Sequence, residues 1–400
     1  MIHSKGLSVT TKKQGSVLLI TLSGRIDTDT APTAQQQVAD GLEDCNRVVI
    51  DCTDLEYISS SGLRVILYLR KRIRDVEMIN VSSAIFEILQ TTGFTEMIEV
   101  RRPLRHISTE GCEIIGEGAM GIVYRIDRET IVKEFKDPEA LKDIENEQAL
   151  ARKAFILGVP TAIPYDIVIT DHGLYGSVFE LLEASSFQKL ILTKKKTLSE
   201  VAEMSAELLH VIHGIELKEG DLPSCRSQAL DLLETGKELF TDEEFGRLKE
   251  LYEGIPECFR MIHGDFHIKN VMVRGEEPLL IDMEFLSSGD PAFEFSGLYV
   301  AYHCFSELFP GNSEEFFKIN DTETERLFME TFDAYLEDYD KDRDQLLKQV
   351  QLMAWMRFVL YVHTGKYFKD TDTGWIREQA LTHIRELLPQ VNELVMNMEA

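Results

Sequence analysis

Four hundred residues, 44% apolar and 28% charged, make a globular composition long enough for two or three domains. The net charge of −27 is uneven: residues 1–104 hold 12 Lys+Arg against 13 Asp+Glu, and the remainder holds 30 against 56. The C-terminal part therefore lacks the basic face that nucleic acid requires, and its acidity suits a cationic, amine-bearing substrate. No signal-peptide core or membrane-length apolar run is present, and the six Cys include no C-x-x-C pair, so the expectation is a cytoplasmic protein with reduced thiols and no zinc site.

In chain order, residues 17–22 (VLLITL) and 48–51 (VVID) read as buried strands, and 30–42 between them as an amphipathic helix with Pro32 near its start. In "DLEYISSSGLRVILYLRKR", Leu63, Ile66, Leu67 and Arg70 fall on one helical side, which puts residues 59–61 at the helix start, where a Ser hydroxyl caps free backbone N–H groups. Residues 78–81 read as a strand and 82–90 as a helix stopped by Gly93. Alternating strands and helices predict a small α/β module.

Three stretches, "SGRIDTDTAP", "VVIDCTDLEYISSSGLRVIL" and "INVSSAIFEILQTTGFTEMIEV", resemble the STAS domain of anti-sigma-factor antagonists over residues 5–102. The resemblance implies an anti-sigma-type protein partner and a phosphorylated Ser just before the Gly of the turn, which is Ser61 here. Ser59 stands where the family carries Asp. A phosphate at that position would meet the free N–H groups and positive dipole end of a helix. Arg101-Arg102-Pro103 closes the module, giving domains 1–103 and 104–400 with the boundary between 103 and 108.

"EIIGEGAMGIVYRI" places Gly116, Gly118 and Gly121 in a G-x-G-x-x-G pattern. A dinucleotide fold needs a helix after the last Gly. The β-branched and aromatic "GIVYRI" instead favours a strand, and a strand–turn–strand hairpin is the nucleotide-covering loop of the kinase fold. Lys133 lies on the next apolar strand, seventeen residues after Gly116. The following helical stretch, ending near Gly158, offers Glu147 as its partner, with Glu145 as competitor. Residues 176–184 read as a strand leading to a hinge, where backbone groups of Glu180–Leu182 pair with adenine. Helical periodicity follows around 201–212.

"MIHGDFHIKNVMV" spaces Asp265 and Asn270 five apart, and "PLLIDMEF" ends an apolar strand with Asp282 twelve residues later. In a kinase loop, Asp265 orients and deprotonates the acceptor hydroxyl while Asn270 and Asp282 present oxygen donors to Mg²⁺. His263 and His267 read as braces of the loop. Residues 325–400 read as helical, with Trp355, Phe358, Tyr361 and Tyr367 close together and mostly in a packed core.

"HGDFHIKN" with "LLIDMEFLSSGDPAFE" resembles the aminoglycoside phosphotransferase and choline kinase superfamily over residues 108–390. His-Gly-Asp and Asp-Met-Glu replace the His-Arg-Asp and Asp-Phe-Gly of protein kinases. The resemblance implies an α+β bilobal, protein-kinase-like domain following the α/β STAS domain, with an N-lobe over about 108–182 and a C-lobe over about 183–400. It assigns Asp265 as catalytic base, Lys133 to the ATP phosphates, and Asn270 and Asp282 to Mg²⁺. Glu284 is a further candidate ligand, and Gly289-Asp290-Pro291 a structural turn. The expected activity is Mg·ATP-dependent transfer of the γ-phosphate to a small-molecule hydroxyl. Two alternatives stand beside it: a protein kinase acting on Ser61, prompted by the protein-kinase-like form of "GEGAMGIVY", and a non-catalytic nucleotide sensor.

Overall fold

The computed structural model describes residues 6–118, 120–337, 339, 342–368 and 372–396. The chain divides into two compact units, Met1–Ser108 and Thr109–Ala400. No helix among the described residues is long and apolar enough to cross a membrane.

The first unit is a five-stranded sheet in sequential order, β1 (Ser8–Gln14), β2 (Val17–Ile26), β3 (Arg47–Ile58), β4 (Asp75–Ile79) and β5 (Glu99–Val100). Only the β1–β2 pair is antiparallel; the other pairs are parallel. Burial alternates along β2, with Leu18, Ile20, Leu22 and Ile26 inside, as the two-residue period of a strand requires. Helices α1 (Ala31–Ala39), α2 (Ser60–Arg72) and α3 (Ser83–Thr91) add Ala34, Val38, Ile66, Leu69, Ile85 and Leu89 to that core. The buried face of α2 is Leu63, Val65, Ile66 and Leu69. It is rotated away from the expected Leu67 and Arg70, which sit half-buried at its border. Strand β1 carries polar, exposed residues along one edge and has no apolar alternation by which to be recognised.

The second unit opens with an antiparallel sheet. Strands Pro164–Thr170, Tyr175–Glu180, Thr130–Phe135, Gly121–Arg125 and Glu113–Glu117 lie side by side in that order. Helix α4 (Leu141–Ile156) packs on it, and its buried Gln148 amide donates to Ser177 Oγ at 2.6 Å. The strand expected over 176–184 ends at Glu180. The Leu181 N–H still bonds the Glu129 carbonyl in register with the neighbouring strand, and the Ala184 N–H then closes a tight turn on Leu182. A helical body follows, in which Leu198–His213, Asp321–Leu336 and Arg343–His363 bury Phe295, Phe332, Tyr335, Trp355 and Phe358.

Candidate active site

The Gly-rich segment forms a hairpin between the strands Glu113–Glu117 and Gly121–Arg125. Its glycines have different reasons to be there. A side chain on Gly121 would overlap the Glu134 carbonyl oxygen of the adjacent strand. A Cβ at Gly118 would meet nothing within 4 Å, so packing does not require a glycine there. Lys136 Nζ holds the turn through the Gly118 carbonyl at 3.0 Å.

Lys133 sits on the next strand, paired across the sheet with Val123 and Ser177. Its Nζ lies 3.0 Å from Glu147 Oε1 on α4 and 3.6 Å from Asp282 Oδ1. Glu147 is therefore the residue of α4 that holds Lys133. Burial disfavours the Lys133 charge, but Asp282 and Glu147 outweigh it and raise its pKa above the ordinary lysine value. The ammonium is thus fixed in place and permanently charged.

Asp265 and Asn270 lie on the loop after the short strand Met261–Ile262. Both N–H bonds of the Asn270 amide are directed at Asp265, to its carbonyl and to Oδ2, each at 3.0 Å. That orientation leaves Asn270 Oδ1 as a free acceptor. The Ile281 N–H donates to the Asn270 carbonyl at 3.0 Å, which seats Asp282 beside the loop. Asp282 has φ +67°, a left-handed conformation that Asp tolerates better than most residues. Its Oδ1 is buried and without a hydrogen bond. Orphaned buried oxygens and non-glycine left-handed residues gather at binding sites, because a ligand supplies the missing partner.

No group of three or more His, Cys, Asp or Glu among the described residues forms a metal cage. Mg²⁺ is ordinarily held by one or two protein oxygens together with substrate phosphates and water. The unbonded Asn270 Oδ1 and the orphaned Asp282 Oδ1 are hard donors of that kind, so the residues present fit such an ion. Burial and Asp282 push the Glu284 carboxyl above its usual range, so that charge repulsion already operates among these carboxylates.

The histidines differ. His263 Nε2 contacts the Ile281 carbonyl at 3.1 Å and its Nδ1 accepts the Asp265 N–H at 3.3 Å, bracing the segments that carry Asp265 and Asp282. His267 Nε2 is 3.8 Å from Asp265 Oδ2, and burial pulls its pKa below the ordinary histidine value, keeping the ring neutral. In the hinge, Glu180 is spent on structure: its N–H goes to Ile163 and its carboxylate accepts the Ile163 N–H. The Leu182 N–H makes no hydrogen bond among the described residues.

In the first unit, Ser59 is the N-cap of α2, accepting the N–H groups of Ser61 and Gly62 at 3.2 and 3.3 Å. Ser61 lines an open groove with Thr28, Pro32, Gln35, Arg64 and Tyr68.

Sequence reading passed over Glu294, Tyr302 and Arg357. Glu294 is fully buried and accepts the N–H groups of His263 and Gly264 at 2.6 and 2.9 Å. Tyr302 accepts the Ile268 N–H at 2.9 Å, and Arg357 donates to the Gly264 carbonyl at 2.8 Å. Asp290, expected as a structural turn, accepts the N–H groups of Ala292 and Met396. The available signal was charge: Glu294 and Arg357 stand in apolar runs that have no reason to contain an ion unless specific bonds hold it.

The model of the STAS domain matches residues 8–107, and that of the phosphotransferase enzyme family matches residues 112–346. A protein of Bordetella bronchiseptica named as an anti-sigma factor antagonist, BtrV, is 28% identical over 99 residues, 24% of this chain and 85% of that protein. Among solved structures, aminoglycoside phosphotransferase APH(4)-Ia covers 70% of this chain and 93% of its own at 14% identity and a TM-score of 0.50, a likeness of fold. A choline/ethanolamine kinase family protein from Mesorhizobium loti covers 70% and 88% at 16% identity, with a TM-score of 0.44. The family match spans more than half of the chain and contains the Gly-rich hairpin, Lys133, Asp265, Asn270 and Asp282: the chain belongs to the phosphotransferase enzyme family and carries a STAS domain ahead of it.

Proposed function

We propose that the protein is an ATP-dependent phosphotransferase that moves the γ-phosphate to a hydroxyl of a small molecule, with the STAS domain as an interaction module. The observation that carries this reading is Lys133 Nζ set 3.0 Å from Glu147 and 3.6 Å from Asp282, whose buried Oδ1 makes no hydrogen bond, beside the Asp265–Asn270 loop.

Phosphoryl transfer asks a protein mainly for positioning and charge neutralisation. Lys133, held by Glu147, meets the nucleotide phosphates under the hairpin turn at Gly118. The Leu182 N–H is the hinge donor left for adenine. Asn270 and Asp282 would hold Mg²⁺, which when bound would neutralise charge on the phosphates. Asp265 receives the acceptor's hydroxyl proton, and Asn270 fixes the rotamer of its carboxylate through Oδ2. His267, kept neutral, adds no competing charge beside it.

Asp265→Asn tests the reading. Isothermal titration with Mg·ATP is expected to give an unchanged affinity, while ADP release with an accepted hydroxyl compound falls by about 10²–10⁴, the usual worth of a positioned base. Near-normal turnover in that variant would remove Asp265 from the chemistry.

A further inference from the structure

The acidity of the whole second unit favours a cationic acceptor, but the charges around the acceptor side of Asp265 do not. Gly264, the residue before Asp265, forms part of the wall of a cavity of about 100 Å³. Its lining includes Gly264, Phe285, Ser287, Tyr361 and Gln228 and no Asp or Glu; Arg357 is its one charged residue. Arg357 spends one nitrogen on the Gly264 carbonyl at 2.8 Å. Its Nε is buried and has no hydrogen-bond partner, and Arg357 makes no ion pair among the described residues. Among the described residues no carboxylate pairs with this guanidinium directly, Asp265 and Glu294 acting on it only from a distance, so a buried donor is left for a ligand to complete.

Two more cations flank the same loop. Lys366 Nζ stands 4.1 Å above the Phe285 ring and 4.6 Å above the Tyr361 ring, both of which line the cavity. On the other flank, Lys269 Nζ lies 3.9 Å above the Phe316 ring, which packs edge-on against His267, the neighbour of Asp265. None of these three cations has a carboxylate within ion-pair distance among the described residues. Against a surrounding net charge of −26, three such cations mark the place where a ligand's negative charge belongs.

We infer that the acceptor is an anionic hydroxyl compound, a hydroxy acid or a sugar phosphate, whose carboxylate or phosphate is bound by Arg357 with Lys366 at the rim. The inference rests on the phosphotransferase reading and names the substrate class for it. A planar guanidinium suits either anion through paired N–H donors, and the volume admits one compact group in place of a few waters. Anchoring the anion there would leave a neighbouring hydroxyl to be presented to Asp265.

The test assays the full chain with Mg·ATP for ADP release on two panels. One contains hydroxy acids and sugar phosphates, each acid paired with its neutral amide; the other contains amino alcohols and aminoglycosides. The expected result is turnover on an anionic compound, with kcat/KM at least tenfold lower on its amide. Arg357→Met is expected to raise KM for the acid at least tenfold, leave KM for ATP unchanged and erase the preference over the amide. That variant also loses the Gly264 contact, so Lys366→Met, on the exposed rim, gives a second reading: a severalfold rise in KM for the acid alone, at an unchanged melting temperature. Turnover confined to amines, or acid and amide used equally by the unaltered chain, overturns the anionic acceptor and leaves the phosphotransferase reading standing. ATP bound but no turnover on either panel overturns both.

Discussion

Glu294 Oε1 accepts the backbone N–H of Gly264 at 2.9 Å. Its other oxygen accepts the N–H of His263 at 2.6 Å and lies 3.7 Å from His213 Nε2. One buried carboxylate thus orients the two peptides immediately before Asp265. Burial opposes its charge, but the His213 ring 3.7 Å away, the His263 ring and the His263 N–H bond prevail and hold its pKa below the ordinary value. Glu294→Ala leaves two buried donors without partners, which costs about 2–6 kcal/mol at 1–3 kcal/mol for each orphaned group. Urea unfolding would show that loss. Single-turnover rates should fall as well, with ATP affinity retained, because the loop loses its orientation and the hinge does not.

Gly264 itself is fixed by sterics. Its φ is +82°, and a Cβ there would stand 2.7 Å from the Phe285 carbonyl oxygen. Gly264→Ala must move the backbone on which both Asp265 and the Arg357 contact depend. The expected outcome is a lower melting temperature together with a fall in kcat larger than the change in KM for ATP. A variant with unaltered kcat would show that the loop tolerates displacement.

Much of this site was readable from spacing. Asp265, Asn270 and Asp282 are local in sequence and carry types that only a few chemistries need, and Lys133 is marked by a charge on a β-branched strand. What supports them was not readable. Glu294 meets the loop from thirty residues away, Arg357 from ninety-three, and Tyr302 from thirty-four. No periodicity encodes such meetings; they follow from how helices pack. The hinge shows the complementary failure: "GSVFELLEA" reads as one strand, yet after the Leu181 N–H makes a last bond in register to the Glu129 carbonyl the chain turns on the Ala184–Leu182 bond. In the first unit, apolar spacing placed α2 but misjudged its face, since Leu67 is as apolar as Leu69 and only packing in the fold separates them.

Lys133 and Glu147 form one unit, with side chains 19% and 5% exposed. Removing either leaves the other buried without its partner, so the single and double variants should not be additive. Glu147→Gln and Lys133→Met should each weaken Mg·ATP binding tenfold or more. The double variant should be little worse than Lys133→Met alone, giving a coupling above about 1 kcal/mol in a double-mutant cycle. Additive losses in titration calorimetry would mean that the two residues act on ATP separately.

A second histidine–carboxylate cluster gives the protein an acid-sensitive joint. Glu307 lies 3.0 Å from His303 Nε2 and 2.7 Å from His383 Nε2, and the Trp355 ring stacks on His383 at 4.2 Å. The cluster joins the π-helical segment Val300–Cys304 to the helix Gly374–Leu387. Hydrogen bonds from His303 and His383 pull the Glu307 pKa down to about 2, against an ordinary 4.5. A folded-state pKa below the unfolded one means that the unfolded chain takes up the proton first. Stability from Glu307 is therefore complete above pH 4.5 and drains away as the pH falls from 4.5 towards 2. With the carboxylate about one-third exposed, solvent screening keeps the whole effect to about 1 kcal/mol. Unfolding free energies measured by urea at pH 7, 4.5 and 3 should fall more steeply below 4.5 for the unaltered chain than for Glu307→Gln, which has no proton to bind. Parallel slopes for the two proteins would show that the histidine bridges contribute nothing to the joint.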